Sequence, residues 1–178
     1  MSPAELKALV RTVPDFPAPG IQFRDITTLI GDGPGLAATV AWLAEQARAG
    51  GAQAIAGMEA RGFIFGAAVA VALGVGFVPI RKSGKLPVAT IGADYHLEYG
   101  TDRLEMDPAT VHAGQRVALV DDLIATGGTA RAAAALLRKA GADVDRAVFV
   151  IGLPDLGGAT ALAEMGVATA TLMEFPGH

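Results

Sequence analysis

Uninterrupted apolar runs of strand length alternate along this chain with helix-length patterns, and that alternation restricts the fold more than any other feature. A helix pattern over 34–49 precedes AIAGM (54–58), and one over 63–73 precedes FVPI (77–80). RVALV (116–120) leads into a helix over 128–140 that exits at Gly141. RAVFVIGL (146–153) leads into a helix over 155–165 and then VATATL (167–172). Strands that are apolar at every position are buried on both faces, which predicts an α/β fold: a parallel sheet flanked by helices on both sides. In such sheets ligands sit at the carboxyl ends of the strands. The 178 residues suit a single domain, 1–178. Residues 81–107 interrupt the alternation with charges and prolines, and read as a long loop with a β-flap.

Several function classes are disfavoured at once. Eighteen acids against 14 bases give a net charge of -4, which opposes general nucleic-acid binding. With no cysteine there is no disulfide framework and no thiolate chemistry, which fits a cytoplasmic location. Residues 62–80 carry no charge over 19 positions, long enough to span a bilayer. Four glycines and a proline fall within them, and Gly74-Val75-Gly76 divides them. A buried helix followed by a buried strand is therefore expected, and no membrane span. At the start, Ser2, Pro3 and Glu5 read as a capping box opening a helix rather than as a signal peptide. The three histidines lack metal-ligand spacing, neither serine sits in a nucleophile elbow, and the ATP-binding loop G-x-x-x-x-G-K-[ST] is absent.

The stretch VALVDDLIATGGTA (117–130) carries the chemistry. An apolar strand runs into two carboxylates, Asp121 and Asp122. An acidic helix N-terminus would account for one of them and less easily for both. The loop Ala125, Thr126, Gly127, Gly128, Thr129 then presents backbone N–H groups and two hydroxyls at a helix start, a phosphate site that needs no lysine. Phosphate beside two carboxylates points to a sugar phosphate, with the ribose hydroxyls on the acids. Glycine supports this reading: 23 residues, about 13% against an average near 7%, gathered at strand-to-helix turns where backbone approaches something closely.

This string resembles the phosphoribosyl pyrophosphate (PRPP) signature of type I phosphoribosyltransferases. FPAPGIQFRDITTLI (16–30), GMEARGFIFGAAVA (57–70), IRKSGKLP (80–87) and YHLEYGTDRLE (95–105) resemble, in that order, the adenine phosphoribosyltransferases, and the likeness runs from about residue 14 to the final FPGH. It implies an N-terminal hood (1–33), a flexible lid loop and flap (81–107), and the reaction adenine + PRPP → AMP + pyrophosphate. PRPP would enter as its magnesium complex, since its pyrophosphate needs a divalent cation to leave. The other function classes weighed are transfer to another purine base and a non-catalytic PRPP-sensing regulator.

Residue by residue, the resemblance implies the following. Glu59, Ala60 and Arg61 form the turn that holds pyrophosphate, with a cis peptide at Glu59–Ala60. Arg61 opens a helix, the unfavourable end for a cation, and an anion beside it removes that conflict. Arg81, Lys82 and Lys85 would be lid cations closing over pyrophosphate, with Arg81 acting on the other subunit of a homodimer; by charge alone a solvated surface turn is slightly the better reading. Glu98 would take the adenine proton as N9 attacks the anomeric carbon, and Tyr99 would flank the ribose or the lid. Gln22, Phe23 and Arg24 match the adenine hood, although Phe23 could be core and Arg24 a surface ion-pair partner. Many family members carry an aliphatic residue at Gln22, which is harmless if the main chain reads the base.

Overall fold

The computed structural model describes residues 1–97 and 100–177, the side chain of Leu97 aside. Glu98 and Tyr99, which the sequence placed at the base and ribose, lie outside the described residues.

Helix α1 (Pro3–Ala8) opens with the expected capping box: Glu5 N–H donates to the Ser2 hydroxyl at 3.3 Å, and Ser2 N–H donates to the Glu5 carboxylate at 2.6 Å. Strands β1 (Arg11–Pro14) and β2 (Gln22–Asp25) pair antiparallel as a separate two-stranded hood, tied by the Arg11–Asp25 ion pair at 2.5 Å. Helices α2 (Thr27–Gly31) and α3 (Gly33–Ala49) follow, and Asp32 caps α3 by accepting from Gly35 N–H at 2.7 Å.

The remaining chain builds one seven-stranded sheet. Its strands are β3 (Ala54–Met58), β4 (Gly76–Lys82), β5 (Ile91–Leu97), β6 (Gly100–Met106), β7 (Arg116–Ile124), β8 (Asp143–Gly152) and β9 (Ala168–Glu174), in the order β5-β6-β4-β3-β7-β8-β9. Helix α4 (Arg61–Leu73) joins β3 to β4, α5 (Gly128–Lys139) joins β7 to β8, and α6 (Gly158–Ala163) precedes β9.

Strands β4, β3, β7, β8 and β9 pair in parallel, as the apolar runs predict. The sequence reading needs two corrections. The sheet is mixed rather than all parallel: the β-flap is an antiparallel hairpin of β5 and β6 whose second strand also pairs with β4. The strand bearing Asp121 and Asp122 does not stop at Val120 but continues through both acids to Ile124. Charged and polar side chains on these segments mask strand periods that backbone pairing nonetheless satisfies.

Alternation across the sheet explains the uninterrupted apolar runs. Ala54, Ala56, Met58, Val117 and Leu119 pack on one face with α5 and α6. Ile55, Ala118, Val120, Val148 and Val150 pack on the other with α1, α3 and α4. The long uncharged stretch 62–80 is therefore α4 plus β4, and among the described residues no helix is long and apolar enough to cross a membrane.

Candidate active site

The crossover from β3 leads out to β4 and that from β7 leads out to β8, so the sheet order reverses between β3 and β7. At that switch point the carboxyl ends of neighbouring strands part and leave a crevice. A cavity of 530 Å³ opens there. Its floor is Met58 to Arg61 at the β3–α4 turn and Asp121 to Ala130 at the β7–α5 turn, and its wall is Lys82, Tyr95 and Leu104 from β4 and the flap.

Pairing of β7 with β3 ends at Val120, which frees the next two residues to face the crevice. Asp122 is buried, and its Oδ2 lies 2.7 Å from Arg61 Nε. Asp121 Oδ1 accepts from Asp122 N–H at 2.9 Å. Burial, and secondarily the charge of Asp122 alongside, push the Asp121 carboxyl well above the usual carboxylate range. Gly62 makes this packing possible, because a Cβ there would stand 2.7 Å from Asp121 Oδ1.

The loop 125–129 follows. Gly127, at φ 84°, turns the chain into α5, and no side chain caps that helix start. Its first N–H groups are thus left for a ligand, where the helix dipole favours an anion. All of 125–129 line the cavity. Gly158, the first residue of α6, braces the loop from behind: its N–H donates to Ala125 O at 3.0 Å.

Across the cavity, the Glu59–Ala60 peptide bond is cis. Arg61 is the first residue of α4, and its conflict with the helix dipole is met by Asp122. The same guanidinium stands 5.7 Å from the Phe23 ring centre, so Arg61 bridges the carboxylate pair to the hood. The Glu59 carboxylate accepts from Lys82 N–H and lies 3.6 Å from Arg81, holding the turn to the end of β4. Arg81 also packs 6.0 Å from the Phe63 ring and donates to Lys85 O at 3.3 Å.

A family model for the phosphoribosyl transferase domain matches residues 27–160. An adenine phosphoribosyltransferase of Erythrobacter litoralis is 70% identical over 178 residues, covering 100% of both chains. The chain belongs to the adenine phosphoribosyltransferase family. Among solved structures, the adenine phosphoribosyltransferase of Thermoanaerobacter pseudethanolicus superposes with a TM-score of 0.93 at 45% identity, over 98% of this chain and 100% of that one. The Saccharomyces cerevisiae adenine phosphoribosyltransferase, solved in complex with an imino-altritol bisphosphate and adenine, gives 0.89 at 37% identity, over 96% and 98%.

Set against the family's pattern, the structure gathers Glu59, Ala60, Arg61, Lys82, Asp121, Asp122 and residues 125–129 around one cavity. It does not bring every expected side chain there. Glu59 lines the cavity but turns its carboxylate to Arg81 and to the Lys82 N–H, and Arg81 itself lies outside the lining. The Arg24 guanidinium donates to Thr12 Oγ1 at 2.7 Å and to Pro176 O at 3.2 Å, and lies 4.7 Å from the Phe175 ring, so its side chain fastens the hood to the C-terminal segment. Phe23 and Gln22 are half-buried in the hood, with Phe23 edge-on to Phe16 at 5.2 Å. Lys85 lies beyond the cavity lining. The sequence reading missed Tyr95, Leu104 and Leu123, which line the cavity, and Gly158 behind the loop. Strand-period alternation in 95–106 could have flagged the first two; nothing local singles out Gly158.

Proposed function

We infer that this chain transfers the 5-phosphoribosyl group of PRPP to adenine, giving AMP and pyrophosphate, and so serves adenine salvage. The observation that carries this reading is the convergence, on one cavity at the switch point, of an uncapped helix start with an anion-ready loop, a carboxylate pair and two cations, Arg61 and Lys82. The 5-phosphate sits on Ala125, Thr126, Gly127, Gly128 and Thr129. The ribose hydroxyls meet Asp121 and Asp122, releasing Arg61 toward the pyrophosphate. Adenine N9 forms its bond to the anomeric carbon as the bond to pyrophosphate oxygen breaks, and Glu98 takes the N9 proton. Charge in an oxocarbenium-like state is stabilised by the surrounding acidic groups.

Magnesium, carried in on PRPP, would supply positive charge that eases the departure of pyrophosphate. In this reading the ion is carried by the substrate rather than by a protein metal cluster. The hood reads the adenine edge through the main chain of Gly20-Ile21-Gln22-Phe23, where Gly20 at φ 87° turns the backbone. The enzyme works in the cytoplasm as a homodimer, with Arg81 completing the partner's site. An inactive Arg81→Ala chain mixed with an inactive Asp122→Asn chain then regains activity in hybrids, whereas confirmed hybrids without rescue would remove the trans role.

The deciding experiment is incubation with PRPP, magnesium and a panel of bases, with products separated by chromatography. Sites that read a base edge with fixed donors and acceptors discriminate by about 10⁴–10⁵, so adenine should exceed hypoxanthine and guanine by at least roughly a thousandfold in kcat/KM. Comparable use of hypoxanthine would leave only a general phosphoribosyltransferase. A gel shift with no turnover would favour the PRPP-sensing regulator.

A further inference from the structure

The flap places an acid beside a site built for anions. Asp102 lies on β6, between β5 and β4 in the sheet. It stands directly across from Tyr95 on β5, while Lys82 on β4 is opposite Leu104, two residues further along the same face of β6. Side chains at such positions share one side of a sheet, and diagonal neighbours are within reach of a long side chain. Tyr95, Lys82 and Leu104 all line the cavity, so this is the flap's inner face. Asp102 Oδ2 accepts from the Tyr95 hydroxyl at 3.0 Å and lies 3.0 Å from Lys82 Nζ, and its Oδ1 accepts from Arg103 N–H at 2.8 Å.

Two accounts of this row differ in sign. A carboxylate near the pyrophosphate could simply repel it and mask Lys82. It could instead hold the ammonium where the anion arrives. The geometry favours the second. Both oxygens of Asp102 are fixed, one by a backbone N–H and one by a tyrosine that is itself only 8% exposed. The Arg103 N–H first, then Lys82 and the Tyr95 hydroxyl, keep the Asp102 carboxyl below its ordinary range. Burial, with Asp102 beside it, pushes the Tyr95 hydroxyl up to about 12, so it stays a donor. Lys82 is the loose member, 55% exposed on a flexible stem, and an ammonium has three donors, so one bond to Asp102 leaves two for a ligand. A tethered side chain loses less freedom when the anion binds.

We propose that Asp102, fixed by Tyr95, is a positioning residue that presents the Lys82 ammonium to the pyrophosphate group of PRPP. This rests on the assignment of Lys82 to that group. Asp102→Asn keeps the shape and removes the charge. It should raise the dissociation constants of magnesium–PRPP and of inorganic pyrophosphate about tenfold, as loss of a charged hydrogen bond does, while the dissociation constant of AMP, which has no pyrophosphate, stays unchanged. Tyr95→Phe should show a smaller loss of the same selectivity. In a Lys82→Met background Asp102→Asn should add nothing, and Asp102→Glu should recover part of the affinity. Tighter PRPP binding by Asp102→Asn would establish repulsion and overturn the proposal. Equal weakening of AMP and PRPP would mark a merely structural role, as would a full effect without Lys82, and either would overturn it. If Lys82→Met alone left PRPP affinity intact, the assignment of Lys82 would fail and this proposal with it. If Lys82→Met weakened PRPP and Asp102→Asn did not, only the proposal would fail.

Discussion

Gly158→Ala tests whether the phosphate loop is positioned from behind. A Cβ at Gly158 would stand 2.4 Å from Ala125 O, 2.7 Å from Ile124 Cγ1 and 3.0 Å from Gly127 N. Ile124 can rotate away, but the other two atoms are backbone of the loop. Relief to ordinary contact requires a displacement of roughly 1 Å, and it loosens the 3.0 Å bond from Gly158 N–H to Ala125 O. Overpacking of this kind costs about 1–3 kcal/mol, or roughly 2–12 °C in Tm for a chain of this size. The functional cost should be larger, because a shift near 1 Å in a positioned site can cost about a hundredfold. Calorimetric titration with ribose 5-phosphate is the cleanest assay, since it isolates the loop. We expect its affinity, and that of AMP, to fall roughly ten- to a hundredfold in a variant that remains folded. Gly33→Ala is the control: it begins α3 with nothing within 4 Å of a new Cβ, and should be neutral or stabilising. A folded Gly158→Ala chain with unchanged ribose 5-phosphate affinity would show that α6 does not set the loop.

Three further outcomes are expected. Glu98→Gln should keep the fold and PRPP binding yet lose about 10²–10⁴ in kcat, measured by AMP formation; turnover near that of the native enzyme removes Glu98 from the mechanism. Asp121→Asn should weaken PRPP roughly ten- to a hundredfold while stabilising the unliganded protein. Because the folded carboxyl of Asp121 is raised, its native contribution is present below about pH 4 and lost as pH rises through the folded value, so the variant's stability advantage should grow from acid to neutral pH in thermal melts. Asp25 shows the opposite sign: hydrogen bonds from Thr27, first its hydroxyl and then its N–H, and from Arg11 lower it to about 2. The hood should therefore loosen as pH falls from about 4 toward 2, seen as faster amide exchange in β1 and β2, and Asp25→Asn should abolish that pH dependence.

What the sequence determined by itself is local. Five apolar runs specified five parallel strands, because burial on both faces demands apolar residues at consecutive positions. The string 117–130 specified a strand-to-helix turn with an uncapped helix start, because glycine and small residues there leave backbone N–H groups free. Tertiary structure decided what depends on distant partners. The flap joins the sheet because β6 finds the free edge of β4, a pairing the charges of 81–107 conceal. Arg61 meets Asp122, and Gly127 meets Gly158, only because crossovers in opposite directions bring the ends of β3, β7 and β8 together. Arg24 turns to Pro176 and Phe175 because the end of β9 lies beside the hood. Lys82, Asp102 and Tyr95 form a row through the register of three strands, which is fixed by summed backbone pairing and packing rather than by any one segment.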